Sequence, residues 1–204
     1  MAASHTIAPG MFTLQPISEA QIDSVVALHQ MALSYSLNSR LGTGHLSYLY
    51  SNMRQDATCL SIVAVMEGEV LGVVCAALNP EMLTRRLLAG FPTRQWVALL
   101  GRIVCQPTFL LEWLKSRSLS HPVTFQDMKV RPYLTVIAVS PAARRSGLGR
   151  ALVGTVDNFV RQHGQSFYHL DTRTDNSMAR AFYSRLGFIE LEERGPDVVF
   201  VRQL

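Results

Sequence analysis

Residues 133–139 run Tyr-Leu-Thr-Val-Ile-Ala-Val, a nearly continuous apolar stretch of the kind found in a central strand covered on both faces. Around it the chain alternates between two periodicities. Residues 12–16 predict a first strand closed by Pro16. Ser18 with Gln21 three positions on forms a capping box, and Ile22, Val25, Val26 and His29 then recur at helical spacing, so a first helix ends before Asn38. A loop through Ser39–Gly42 follows, and Thr43 is the expected cap of a short second helix carrying Leu46, Leu49 and Tyr50. The β-rich runs 59–65 and 70–78 flank Glu67-Gly68 and predict a hairpin. Residues 81–126 have a mostly helical pattern broken at Pro92 and Pro107. Their arginines punctuate aliphatic and tryptophan residues, which fits a basic amphipathic surface or, more plainly, a helical insertion packed over the core. Beyond the central strand, Leu152, Val156, Phe159 and Val160 mark one face of a helix stopped by His163 and Gly164. Residues 167–171 predict a strand, 178–186 a helix closed by Gly187, and 188–191 and 198–201 two further strands.

This alternation predicts an α/β (mixed α+β) domain occupying residues 1–204, with a flexible tail at 1–10 and the insertion at 81–126. An apolar content of 48% with 17% charged residues excludes wholesale disorder. The most apolar stretch, 96–114, is interrupted by Arg102, Pro107 and Glu112, so no membrane span is expected. The first ten residues lack a basic segment followed by an apolar core, and no signal peptide is indicated.

Charge narrows the range of partners. A net charge of +4 suits an acidic ligand, but the basic residues are dispersed as single arginines and Arg-Arg pairs, and Lys115 and Lys129 are the only lysines. Without a polybasic run or a basic-aromatic strip, nucleic acid is the weaker reading. Cys59, Cys75 and Cys105 show no Cys-x-x-Cys spacing and read as reduced, mostly buried thiols of a cytoplasmic protein, with no metal site.

The candidate chemistry lies after the central strand, in Arg144-Arg145-Ser146-Gly147-Leu148-Gly149-Arg150. A P-loop is excluded because no lysine follows the glycines. The dinucleotide fingerprint is excluded because Leu152 stands where a small residue is needed. What remains is Arg-x-x-Gly-x-Gly. Its glycines let the backbone turn tightly, and its amides run into the unpaired N–H groups of the next helix, forming a main-chain cradle for pyrophosphate. A glycine-rich strand-to-helix turn also arises for purely steric reasons, so the hexapeptide alone is weak.

The spacing from Arg144 through Asn176, Ala179 and Tyr183 to Gly187-Phe188, with the preceding apolar strand, resembles the GNAT superfamily of acetyl-CoA-dependent N-acetyltransferases over residues 133–188. The resemblance implies a twisted mixed sheet flanked by helices, in which strands 133–139 and 167–171 splay apart. It implies that pantetheine pairs with Ile137, Ala138 and Val139, and that the diphosphate sits on the amides of Arg145, Ser146, Gly147, Leu148, Gly149 and Arg150. Arg144 would brace the loop, and Arg145 and Arg150 would add charge or remain solvated. Asn176 would contact the cofactor, cap the helix at Met178, or both. Tyr183 would donate a proton to the departing sulfur. The alternative is that it is an aromatic on an amphipathic helix with Met178, Ala179, Phe182 and Leu186. The backbone N–H of Val139 would stabilise the oxyanion.

Where some branches of the superfamily carry a glutamate, near Tyr133, this strand has no carboxylate. Candidate bases are therefore a water chain, Asp127, His169 or Asp171, while His45 and His121 read as packing or surface residues. Acceptor contacts are expected from residues 36–44, with Arg40 and Tyr133 as candidates, and the insertion is expected to serve as a lid or a homodimer surface. The implied activity is direct transfer of acetyl from acetyl-CoA to a primary amine of a small molecule or peptide. The alternatives are a catalytically silent acyl-CoA-binding module and an acyltransferase with a hydroxyl acceptor or longer acyl group.

Overall fold

The computed structural model describes residues 12–93 and 123–204. The expected tail at 1–10, Cys105, His121 and residues 94–122 of the expected insertion lie outside that set. A short strand β1 (Thr13–Pro16) is followed by a 3-10 turn, in which the Gln21 side chain reaches back to the Ser18 N–H at 3.0 Å. The turn runs into α1 (Ile22–Ala32), whose Ile22, Val25, Val26, Leu28 and His29 are buried. The segment expected as a loop instead contains a short helix, α2 (Leu37–Leu41), capped by Ser36, whose hydroxyl accepts the Ser39 N–H. Thr43 is the first residue of α3 (Thr43–Gln55) rather than its cap. Gly42, at φ +95°, holds the cap position because the chain reverses there in the left-handed region.

The hairpin forms as expected from β2 (Cys59–Met66) and β3 (Glu69–Ala77), followed by α4 (Pro80–Ala89). The end of the expected helical insertion is a small antiparallel pair, β4 (Val123–Phe125) and β5 (Met128–Val130), turned through Gln126 and Asp127 with positive φ. Val123 and Val130 are drawn into a cluster with Phe167, Val199 and Val201, so burial rather than helical period decides this piece. Then come β6 (Tyr133–Val139), α5 (Leu148–Gln162), β7 (Phe167–Arg173), α6 (Ser177–Arg185), β8 (Ile189–Arg194) and β9 (Asp197–Gln203).

Seven strands form one sheet in the order β1-β2-β3-β6-β7-β9-β8, antiparallel except for the parallel β6–β7 junction. One apolar cluster joins the sheet to α5 and α6, and another joins it to α1 and α3. Behind α6, the Arg202 guanidinium donates twice to Asp157, at 2.7 Å each, and once to the Leu186 carbonyl at the end of α6. Tyr168 donates to the same carboxylate at 2.7 Å. This network fixes α5, α6, β7 and β9 to one another.

The central strand departs from its expected burial on both faces. Only Leu134, Val136 and Ala138 are buried, while Tyr133, Thr135, Ile137 and Val139 are half-buried. Two causes are visible. Against β3 the register skips Thr135, pairing Ala76 with Leu134 and Cys75 with Val136, so a bulge turns the strand over at that residue. Leu134 accordingly packs on the α5 side and Val136 on the α1–α3 side. Against β7, the ladder contains the single pair Tyr133–His169, and the two parallel strands separate beyond it.

Candidate active site

The separation leaves the inner edges of Ile137, Ala138 and Val139 on one side, and of β7 beyond His169 on the other, without ladder partners across the gap. The chain then enters the glycine-rich turn. Arg145 (φ +65°) and Gly147 (φ +86°) both adopt left-handed backbone, and Gly147 is the N-cap of α5. Alternation of this kind aims successive amides into one concavity. The amides of Arg145, Ser146 and Gly147 make no backbone bond among the described residues, and Gly149 and Arg150 follow in the first turn of α5. A Cβ built on Gly147 would meet nothing within 4 Å, so the cradle is open there. Arg144, Arg145 and Arg150 are exposed around it. A diphosphate fits this donor set.

Two predicted members have further roles. The hydroxyl of buried Ser146 donates to the Ala143 carbonyl at 2.7 Å, so it braces the turn and leaves only its amide for a ligand. A Cβ on Gly149 would lie 3.0 Å from the Phe182 ring, so this glycine also permits α5 and α6 to approach. Leu148 contributes its side chain to the core.

Across the gap, Asn176 caps α6 by accepting the Ala179 N–H at 3.1 Å. Tyr183 is buried against Phe182, Phe188 and Phe200, with ring centroids 5.3–5.7 Å away. Burial holds its hydroxyl above the usual phenol value, and the nearby Tyr35 and Asp171 add to the effect. Asp171 lies half-buried on β7 and accepts a hydrogen bond from the Tyr133 hydroxyl. Burial raises the Asp171 carboxyl to about 6. The Tyr133 hydrogen bond opposes that rise and Asp197 adds to it. Burial, then Asp171, keeps Tyr133 well above the phenol range. His169 is fully buried with its ring 5.0 Å from that of Tyr133.

The structure thus brings Tyr133, Asp171 and Tyr183 together where β6 and β7 part. None of the interactions that tie them includes Asp127, which sits exposed at the tip of the β4–β5 turn. Arg40 lies in the last turn of α2, and His45 packs at the start of α3 against Phe91. Two features carry no signal in the residue pattern. The bulge at Thr135 looks like an ordinary strand position. Tyr35, half-exposed in the turn after α1, receives the Asn176 side-chain amide at 3.4 Å although 141 residues separate them in sequence.

Residues 120–188 match the model of the acetyltransferase (GNAT) family. Similar solved structures include the PaiA N-acetyltransferase of Thermoplasma acidophilum in complex with coenzyme A. It is 9% identical with a TM-score of 0.63, over 95% of this chain and 99% of that one. The ribosomal-protein-S18-alanine N-acetyltransferase of Escherichia coli is 16% identical with a TM-score of 0.57, over 95% and 94%. The aminoglycoside 6'-N-acetyltransferase of Acinetobacter baumannii is 20% identical with a TM-score of 0.59, over 89% and 93%. The fold is therefore that of the GNAT acetyltransferases. The resemblance first carried by Arg144, Asn176 and Tyr183 holds for the family model over its central segment and for the fold over nearly the whole described chain. No described helix is long and apolar enough to cross a membrane. No group of histidine, cysteine or acidic residues among the described ones has the arrangement of a metal site.

Proposed function

We propose that this protein transfers acetyl from acetyl-CoA to a primary amine by direct attack in a ternary complex. The observation that carries the reading is the separation of β6 from β7 beyond Tyr133–His169, with an amide cradle at its mouth and Tyr183 beside it. The edge of β6 that faces the gap along Ile137, Ala138 and Val139 supplies alternate backbone groups for the pantetheine amides. The amides of Arg145, Ser146, Gly147, Gly149 and Arg150 supply donors for the diphosphate, and that of Leu148 is shared with the Ser146 hydroxyl at 3.4 Å. The Val139 N–H is the donor assigned to the oxyanion.

Asp171 is the proton acceptor favoured by the site. With its carboxyl raised to about 6, it remains ionised at neutral pH while being far more basic than an ordinary carboxylate. The amine nitrogen adds to the thioester carbon as its proton passes to Asp171, the carbon–sulfur bond breaks, and Tyr183 gives its proton to the sulfur. Burial that holds the phenol high also makes a thiolate in the same slot more basic, so donor and acceptor shift together.

Tyr183→Phe is expected to lower kcat by roughly 10²-fold, within the range of general acid catalysis, while acetyl-CoA affinity by calorimetry stays nearly constant. Unchanged thiol release would remove Tyr183 from the chemistry. Acetyl-CoA binding without turnover on amino acids, peptides, polyamines and amino sugars would favour a silent binding module.

A further inference from the structure

The turn between α1 and α2 is held by a directed chain of hydrogen bonds that starts in the core. His29, on α1, is 1% exposed, yet both ring nitrogens are engaged: Nδ1 lies 2.7 Å from the Tyr50 hydroxyl and Nε2 lies 3.2 Å from the Ser36 hydroxyl. Ser36 accepts the Ser39 N–H at 3.1 Å and donates its own proton to the Ser39 hydroxyl, also at 3.1 Å. Ser39 in turn donates to the Leu33 carbonyl at 2.8 Å. Because the single Ser36 proton is committed to Ser39, the imidazole must carry its proton on Nε2 and accept from Tyr50 at Nδ1. Burial, reinforced by His45, keeps the ring neutral by lowering it to about 4, which preserves that direction. His45 on α3 adds a second tie, its Nε2 lying 3.2 Å from the Asn38 side-chain oxygen.

Tyr35 is carried between the two fixed points. Leu33 and Ser36 flank it, joined by the Ser36 N–H to the Leu33 carbonyl at 2.9 Å. Its ring is half-exposed, its hydroxyl meets Asn176 at the cap of α6, and its proximity raises the Tyr183 hydroxyl. We propose that His29 is a positioning residue for the acceptor, pinning through Ser36 the turn whose Tyr35 forms the wall of the acceptor opening facing Tyr183. This assignment rests on the acetyl-transfer reading for its substrate, but the geometry it requires can be measured without turnover.

The experiment compares the wild type with His29→Leu, which fills the space without polar atoms, His29→Gln, which keeps one donor and one acceptor, and Ser36→Ala, which cuts the chain outside the core. Amide hydrogen exchange over residues 33–42 reads the turn itself, and steady-state kinetics with the best amine of the panel reads its consequence. In His29→Leu and Ser36→Ala, exchange at Ser39 and Arg40 is expected to accelerate about tenfold or more. Acceptor KM should rise about tenfold, with kcat and coenzyme A affinity each changed by less than about threefold. His29→Gln should restore most of both. Wild-type exchange in His29→Leu or in Ser36→Ala, or a fall in kcat and coenzyme A affinity as large as the rise in KM, would overturn the proposal. Absence of turnover in the wild type would sink acetyl transfer instead, and the exchange data would still decide whether His29 holds the turn.

Discussion

At Asp171 opposing influences meet: burial and Asp197 push its carboxyl up, while the Tyr133 hydroxyl and the Arg194 charge pull it down. In its proposed role as proton acceptor it must be ionised, so kcat/KM is expected to fall as pH drops through about 6. Asp171→Asn should lower kcat/KM and flatten that limb. Tyr133→Phe removes the largest of the contacts holding the carboxylate down, so the limb should move to higher pH. A limb that stays in place in both variants would assign the titration elsewhere. The thiols offer no competing nucleophile among the described residues. Burial pushes both Cys59 and Cys75 up to about 12, leaving each almost wholly protonated at neutral pH.

At the scale of elements, the strand-to-helix turn was the most legible part of the chain, because its glycines have spacing and context that few other structures require. The two glycines nevertheless do different work. Gly147→Glu is expected to abolish coenzyme A binding with little loss of fold beyond the strain of a left-handed φ, since its Cβ points into open space. Gly149→Ala should leave the cradle's charge unchanged but press on the Phe182 ring, lowering stability by about 1–3 kcal/mol in urea unfolding. Equal effects on binding and stability in both variants would refute the distinction. The seven strands of the main sheet and α1, α3, α5 and α6 were readable from period and turn residues, whereas Tyr183 was singled out only through the family resemblance. The Thr135 bulge was not, since skipping a residue in a ladder leaves no mark on hydrophobic alternation. The β4–β5 pair and α2 were missed for a related reason: each is too short for a period and exists through contacts made elsewhere, at Phe167 and at His29. Tyr35 reaches the site only because the fold closes 141 residues of sequence separation.

The whole molecule carries these local choices as a dependence of stability on pH. His29 and His45 are each lowered to about 4, so between about 6.5 and 4 the unfolded chain binds protons that the folded chain refuses. Stability therefore declines as pH falls across that window, by roughly 1.4 kcal/mol per pH unit for each histidine. Asp171 works the other way. Raised to about 6, it favours the folded state at low pH and loses that contribution as pH rises from about 3.8 through 6, offsetting part of the histidine slope. The net expectation from these groups is a fall that steepens as pH drops from 6.5 to about 6 and then continues at roughly 1.4 kcal/mol per pH unit to about pH 5. His29→Gln should reduce the slope throughout, as urea midpoints across the range will report. A slope unchanged in that variant would mean that His29 does not stay neutral in the folded protein.

The parting of β6 and β7 has one more consequence. A sheet ordinarily hides its hydrogen-bonding rims at its outer borders, whereas here two such rims face each other in mid-sheet, at Val136–Val139 and beyond His169. Any extended guest with its own amides completes the seam, so occupancy and cohesion of the two halves are one equilibrium. Filling the slot should make the halves resist separation together, and emptying it should leave the apolar cluster under α5 and the Tyr133–His169 pair to hold them.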